Sequence, residues 1–441
     1  MAGPGGGRAG ARPGTSDRGA PGDALPTGGR DLGRTERGSG RDSIRSQFAA
    51  VGRRAENIRS ARPETSARPP FEHFPAAVHI DRIVTKSRTQ DLRLLCQALL
   101  GARIPRAERA RLDTLARAAR VEEEVLRAQK ARRGWRALLE SAALGAARLD
   151  ELRRVARAMG EAGVEMVPLK GMAYALMFES GGPIRPMADS DLLVRERDFA
   201  RAGEVMRGLG YREIFPDPLS RHPGQHERVF AGAGAGAEML VEIHRAFMRG
   251  PRDRVGYAAL WERTLPLERE GIACRRLDPD DAFLYHCFHF GIHEFALGGL
   301  RAVWEMRRLI LEDGPRLETC AQRAREWGSA RAVFSALRLL AACFPGPAKR
   351  RIDGRTGGGR EHLDGERVDP AAWARAFEPG WPIRPLLERF VIAPSIPLLL
   401  SPGPLPRLVQ LARKALLVDS ALDAARYLGW YLAARCEAQK E

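Results

Sequence analysis

The sequence predicts an α+β protein in which a small α/β core lies between N-terminal helices and a mainly helical C-terminal half, preceded by a disordered tail. In residues 76–160, and again from residue 271 onward, Leu, Ala and Val recur at three- and four-residue steps, the period of amphipathic helices. Residues 161–270 instead alternate short apolar runs with helical patterns, which is typical of α/β modules.

Residues 1–75 are predicted to be a disordered, basic tail rich in Gly, Arg and Pro. Such a segment cannot bury enough apolar area to offset the conformational entropy that folding removes. It has no apolar stretch of the kind a signal peptide needs, and its acidic residues argue against a transit peptide. A solvated tail is favoured over a basic tether to nucleic acid.

The composition narrows the class of protein. The 441 residues are 44% hydrophobic, enough for one large or two modest domains. The net charge of +17 arises from 72 Lys and Arg against 55 Asp and Glu, so both signs are abundant and nucleic acid is a possible but not a favoured partner. No apolar run approaches the ~20 residues that span a bilayer, so no membrane partner is expected. Six widely spaced cysteines indicate a reducing, cytoplasmic location.

The predicted core follows one order along the chain. A strand, "VEMVPLK", comes after Gly163, and a helix runs from Gly171 to about Phe178. The strand "DSDLLV", the helix "RDFARAGEVMRGLG" and the strand "YREIF" follow. The core ends with a hairpin of "RVF" and "EMLVEIH", in which the Ala-Gly repeat forms the turn.

The C-terminal half is predicted to be helical in two parts. Residues 271–346 form a helical domain, residues 347–370 a Gly- and Arg-rich flexible linker, and residues 371–441 a last group of helices.

Two aspartates head the apolar strand "DSDLLV". Asp189 and Asp191 point to the same face of the strand, with Cα atoms roughly 7 Å apart. Carboxylates held this close repel each other unless a cation or proton lies between them. We therefore predict a metal site for Mg²⁺, or Mn²⁺, with a surface turn as the alternative.

A third carboxylate lies in the hairpin strand "EMLVEIH". Glu242 and His244 share one face of this strand, and Val241 and Ile243 share the other. If the strand pairs beside "DSDLLV", Glu242 completes an acidic triad that can bind metal or accept a proton from an attacking hydroxyl. His244 is then placed to meet substrate, with an edge histidine of purely structural role as the alternative.

Three further residues are candidates for phosphate binding. Lys170 and Gly171 form a strand-to-helix corner, where the glycine permits close backbone approach and the helix N-terminus offers amide donors to an anion. Arg185, in the loop before the aspartates, adds a second positive charge.

These motifs together resemble the uncharacterised nucleotidyltransferase family of the DNA polymerase β-like superfamily. The resemblance covers about residues 85–345 and is carried by "VPLKGMAYALMFESGGPIRPMADSDLLV", "VEIHRAF" and "DPDDAFLYHCFHFGIHEFALGGLRAVWEM". It implies a small mixed-sheet core that transfers NMP from an NTP to an acceptor. In that relationship Asp189, Asp191 and Glu242 are metal ligands; Glu242 and Glu305 stand where we expect Asp.

Alternatives stay open at this stage. The chain is either an enzyme, an inactive relative that acts as a binding or scaffold protein, or a nucleic-acid-binding protein. His286, His289 and His293 share one helix face but lack the H-E-x-x-H arrangement of zinc hydrolases, which favours a structural or cleft-lining role. The acceptor and the oligomeric state are not predicted.

Overall fold

A five-stranded mixed sheet is the centre of the computed structural model. Its strands, in chain order, are β1 (Met166–Pro168), β2 (Asp189–Val194), β3 (Arg212–Ile214), β4 (Glu227–Ala233) and β5 (Glu238–His244). Their spatial order is β1-β2-β5-β4-β3. Only the β2–β5 pair is parallel, while β1–β2, β4–β5 and β3–β4 are antiparallel. The α+β class and the predicted mixed sheet are therefore confirmed.

The structure describes residues 86–441 apart from 120, 130–134, 179–186, 188, 216–224, 234–237, 249, 251–252, 294, 296–298, 350–366, 381, 402–404 and 439–441. The predicted tail and Arg185 lie in the residues that are not described. Of the Ala-Gly repeat predicted as a turn, residues 234–237 are not described, whereas Ala231, Gly232 and Ala233 belong to β4 and pair with β5, so the strand extends further than predicted. None of the described helices is long and apolar enough to cross a membrane.

Along the chain, helices lie before, between and after the strands of the sheet. Those before β5 are α1 (Lys86–Leu99), α2 (Arg109–Ala118), α3 (Glu122–Ala128), α4 (Trp135–Glu161), α5 (Lys170–Phe178) and α6 (Phe199–Gly208). Those after it are α7 (Tyr257–Arg263), α8 (Pro279–Ile292), α9 (Gly299–Arg308), α10 (Leu317–Trp327), α11 (Ala330–Cys343), α12 (Pro370–Arg375), α13 (Ile383–Leu387), α14 (Ala393–Leu400), α15 (Arg407–Leu417) and α16 (Ala421–Ala438). One-turn π segments, Leu309–Asp313 and Glu388–Ile392, follow α9 and α13.

The two faces of the sheet belong to different hydrophobic cores. Leu192 and Val194 of β2 and Ile243 of β5 point to one face and are fully buried with apolar residues of α4, α5 and α6. Leu193, between them, joins the other core, which consists mainly of the C-terminal helices. Each fully buried side chain of this kind contributes about 1.5–3 kcal/mol. Both faces of β2 are therefore packed against hydrophobic cores, and its polar residues, Asp189 to Asp191, lie at its N-terminal end.

A second hairpin, absent from the sequence prediction, extends the core. Strands β6 (Leu265–Arg269) and β7 (Ile272–Arg276) pair antiparallel around a turn in which Glu270 and Gly271 both have positive φ. Ile272 is fully buried in the same core as α4. A third ladder of only two residues per strand, β8 (Ala348–Lys349) with β9 (Arg367–Val368), lies inside the predicted linker, near its two ends.

Helix α8 is anchored at its N-terminus by acidic residues. Asp278 is the N-cap, accepting from the Asp281 amide at 2.7 Å, and Pro279 occupies the first turn. Asp280 and Asp281 are almost completely buried and pair with arginines of α7 and of the α10 region. These contacts hold the N-terminus of α8 against α7 and α10.

The C-terminal helices are tied to the rest of the helical half by polar contacts. Asp419 accepts from the amides of Ala330 and Arg331, each at 2.8 Å, and so caps α11. Arg413 is buried and donates to the Phe390 carbonyl at 3.1 Å. The described residues accordingly belong to one compact unit.

Candidate active site

The candidate site lies where β2 begins and β5 runs parallel beside it. The register places Asp191 directly opposite Glu242, and Leu193 opposite His244. Side chains of residues paired across neighbouring strands point to the same face of the sheet, so the register brings Asp191 and Glu242 together. The strand pairing on which the predicted acidic triad depends is therefore present.

The corner between β1 and α5 holds Lys170 against these carboxylates. The Leu169 amide donates to the Asp191 carbonyl at 2.8 Å, which fixes the corner to β2. Lys170 has a φ of 50°, in the left-handed region that a lysine rarely adopts. Its ammonium Nζ lies 2.5 Å from Asp191 Oδ1 and 3.8 Å from Glu242 Oε2. Strained backbone of this kind is concentrated at functional sites.

The electrostatics of Lys170 and Glu242 follow from this pairing. Burial lowers the pKa of Lys170, but the charges of Asp191 and Glu242 outweigh it and raise that pKa well above its usual range. Burial raises the pKa of Glu242, but its hydrogen bond with His244 and the charge of Lys170 bring it below its usual value. The site therefore holds charged groups at neutral pH.

His244 connects the two strands to a further carboxylate. Its Nε2 lies 3.1 Å from Asp191 Oδ1 and 3.4 Å from Glu242 Oε2, and its Nδ1 lies 3.6 Å from Glu227 Oε2. The side chain is only 5% exposed. Burial lowers the pKa of His244, but the hydrogen bonds with Asp191 and Glu242 raise it to about 9.

Asp189 lies two residues before Asp191 on β2 and is paired with Leu240 of β5. It is half-buried, and its charge acts on Lys170, on Glu242 and on Arg148. Arg148 is a buried residue of α4 whose Nε donates to the Met187 carbonyl at 3.2 Å. Burial lowers the pKa of Arg148, and Asp189 opposes that effect.

Two groups of described residues have ligand atoms close enough to hold a metal ion. In both groups the three ligand atoms lie within 4.8 Å of one another; the groups are Asp191 with Glu242 and His244, and His226 with Glu227 and His244. Asp189 belongs to neither. Gly171 is half-buried at the start of α5, where helix amides lack intrahelical acceptors.

Helix α8 supplies the wall that faces these residues. Tyr285, His289 and His293 recur every four residues, and all three interact electrostatically with Lys170. Burial, followed by the positive charge of Lys170, lowers the pKa of His289 well below its usual range and that of His293 to about 4. The two imidazoles contact each other, with Nε2 atoms 3.2 Å apart. The wall is therefore neutral, polar and aromatic.

His286 and Glu305, two further residues singled out in the sequence, lie on α8 and α9. His286 Nε2 donates to the Ala302 carbonyl at 2.7 Å, so its Nδ1 accepts from the Tyr174 hydroxyl. These bonds tie α8 to α5 and α9, a structural role. Glu305 is half-buried on α9.

The fold and the site together define a class of protein: a small mixed sheet with carboxylates on two parallel strands, beside a strand-to-helix corner that carries a cation. The chain belongs to the uncharacterised nucleotidyltransferase family, whose profile matches residues 103–345, more than half of the chain. The resemblance found in the sequence is thereby confirmed. No curated protein matches the chain.

Several residues of this site had no place in the sequence prediction. Glu227 and His226 come close to His244 only through the pairing of β4 with β5, and Arg148 comes under the influence of Asp189 only through the packing of α4. "HERVFAGAGAGAEMLVEIH" does contain a signal for Glu227, because a hairpin through its Ala-Gly repeat can pair Glu227 with His244, the pairing that is observed. Arg148 gives no such signal, because it lies among many arginines of a long amphipathic helix.

Proposed function

We propose that this protein is a Mg²⁺-dependent nucleotidyltransferase that moves an NMP group from an NTP to a hydroxyl acceptor and releases pyrophosphate. The observation that carries the proposal is the register of β2 with β5, which sets Asp191 beside Glu242 next to the Lys170 corner. Family membership supports nucleotidyl transfer as the reaction class.

The donor set is suited to a hard divalent cation. Asp189, Asp191 and Glu242 offer carboxylate oxygens, which Mg²⁺ and Mn²⁺ prefer. The ammonium of Lys170 lies between Asp191 and Glu242, at a position that favours positive charge. A divalent ion bound there would supply charge neutralisation and Lewis-acid activation of the triphosphate.

The residues of the corner would hold the nucleotide. The amides at the start of α5 and the Lys170 ammonium, once turned from Asp191, would bind the β- and γ-phosphates. Glu242 would accept the proton of the acceptor hydroxyl as its oxygen bonds to Pα. The bond from Pα to the bridging oxygen of Pβ breaks, and pyrophosphate carries away the electron pair. Tyr285 and His289 of the α8 wall would face the acceptor.

Thermal unfolding of the full chain with each NTP, with and without Mg²⁺, tests the nucleotide site. A ligand at 100 times its Kd stabilises the native state by about 2.7 kcal/mol, a clear rise in Tm. We expect this rise in the wild type with Mg²⁺ and its loss in Asp189→Asn/Asp191→Asn. Release of pyrophosphate on incubation with candidate acceptors tests turnover. A folded Asp189→Asn/Asp191→Asn protein with full transfer activity would refute the mechanism.

The Lys170–Asp191 ion pair favours one second candidate, an inactive relative that binds nucleotides without metal. In that case the lysine itself neutralises the carboxylates, and nucleotide would raise the Tm equally with and without Mg²⁺. Pyrophosphate would not be released. The same two measurements therefore separate the enzyme from the binding protein.

A further inference from the structure

A second potential metal centre lies on the outer side of His244, away from the Lys170 corner. Glu227 is paired with His244 across the antiparallel strands β4 and β5, so both side chains emerge on one face. His226 precedes β4, and its carbonyl accepts from the Arg245 amide at 2.8 Å, which extends the ladder by one residue. The backbone thus holds all three residues in fixed positions.

The ligand atoms have the spacing of a transition-metal site. Glu227 Oε2 lies 3.1 Å from His226 Nε2 and 3.6 Å from His244 Nδ1, and each of the three residues has a ligand atom within 4.8 Å of those of the other two. Around a tetrahedral Zn²⁺ with bonds of 2.0–2.1 Å, neighbouring ligands are separated by about 3.3 Å. Only small shifts of these side chains are needed to reach that geometry.

The state of His244 is an independent sign of a ligand. The side chain is buried, and its Nδ1 has no hydrogen-bond partner among the described residues, with Glu227 Oε2 too distant at 3.6 Å. Its other nitrogen, Nε2, lies 3.1 Å from Asp191 Oδ1. Histidines that bind metal usually donate their second N–H to a carboxylate, which fixes the ring and makes the ligand nitrogen more basic. His244 has this arrangement, with Nδ1 directed at Glu227.

We propose that His226, Glu227 and His244 form a Zn²⁺ site that is separate from the proposed Mg²⁺ site and is joined to it through the His244–Asp191 hydrogen bond. Two imidazoles and one carboxylate select a borderline-soft ion over Mg²⁺, which prefers oxygen. Side chains of His226 and Glu227 are 12% and 19% exposed, so a water molecule can complete the coordination. The bound ion would hold His244 in the orientation that contacts Asp191.

Zinc binding by the full chain, freed of metal with a chelator, tests this site without reference to nucleotide or turnover. The probe is Zn²⁺ itself, titrated against a chromophoric chelator. We expect His226→Ala and Glu227→Gln each to weaken the strongest Zn²⁺ site at least about 100-fold, because each removes one of three protein ligands. Asp191→Ala should weaken it about 10-fold through loss of the carboxylate behind His244. His244 is not replaced, because its loss would disturb both proposed sites.

His293→Ala is the matched control. It removes an imidazole from the neighbouring His289–His293 pair on α8 and should leave the affinity for Zn²⁺ unchanged. Co²⁺ gives a second readout: tetrahedral visible bands in the wild type that disappear in His226→Ala. Circular dichroism of each metal-free variant checks folding, and Glu227→Gln serves if His226→Ala does not fold. Equal Zn²⁺ affinity in a folded His226→Ala or Glu227→Gln variant, or no Zn²⁺ binding by the wild type, overturns the proposal.

Discussion

Two clusters of buried and half-buried carboxylates, one at the start of α8 and one on the interior strands β2, β5 and β4, differ in how their charge is balanced. At the start of α8 every aspartate faces an arginine. Asp281 contacts Arg263 and Arg323, each at 2.9 Å, and Asp280 lies 2.7 Å from Arg316. On strands β2, β5 and β4, Lys170 contacts Asp191 and Glu242, and His244 contacts Asp191 and Glu227.

We interpret this difference as one between a structural network and the proposed ligand site. Carboxylates with matched arginines have their lone pairs satisfied by the fold, so nothing further is required of them. Carboxylates that outnumber their cations stay close together only at an electrostatic cost, which a bound cation would remove. The amino-acid composition of "DPDD" and "DSD" is nearly the same, yet the aspartates of the first pair with three arginines, whereas Asp191 of the second shares Lys170 and His244 with Glu242.

Asp191→Asn, in the cluster on β2, β5 and β4, should have the largest effect, and it should reduce activity more than stability. We expect nucleotidyl transfer to fall about 1,000-fold, equivalent to about 4 kcal/mol, because the central proposed metal ligand is lost. The free energy of unfolding should change by less than about 1 kcal/mol, since the substitution also reduces repulsion with Glu242. Pyrophosphate release and urea denaturation measure the two quantities. A large loss of stability would place Asp191 with the structural network instead.

Asp281→Ala should show the opposite pattern at the start of α8. Removing a fully buried carboxylate leaves the guanidinium groups of Arg263 and Arg323 without a partner and should destabilise the protein by about 3 kcal/mol. Urea denaturation measures this change, and the folded variant should still bind nucleotide. The control is Asp150→Ala, whose side chain is 73% exposed, with an expected change within about 0.5 kcal/mol. Equal stability of Asp281→Ala and wild type would contradict the comparison.

Lys170→Met should have the smallest effect. It tests whether the Lys170 ammonium binds NTP and whether it competes with a metal ion for Asp191. Loss of the ammonium should weaken NTP binding about 10-fold, or about 1.4 kcal/mol. In the absence of nucleotide, Mg²⁺ or Mn²⁺ should bind more tightly, because Lys170 no longer occupies Asp191. Calorimetric titration gives both constants. The reverse result, weaker metal binding in Lys170→Met, would mean that the lysine does not compete with the ion.

Much of the fold could be predicted because it depends on local patterns. The alternation in "DSDLLV" and "LVEIH" and the glycines that end helices predict strands and helices where the structure has them. The β6–β7 hairpin was missed because its strand "LPLER" is partly exposed and begins beside a proline, so its apolar signal is weak. Helical periodicity also gives no indication that α4 packs behind the sheet while α1 joins the C-terminal helices.

By itself, the sequence determined that Asp189 and Asp191 share a face of one strand and that Glu242 and His244 share a face of another, because side-chain direction in a strand is fixed by its two-residue period. It also predicted that Lys170 lies at a corner between a strand and a helix, which in the structure begins at Lys170. Only the tertiary structure decided which strands are neighbours and in which register, and therefore that Asp191 meets Glu242 and that His244 meets Glu227. It also decided which acidic motif is neutralised by arginine. Charge balance depends on residues that are far apart in the chain, and these residues come close together only when the chain folds.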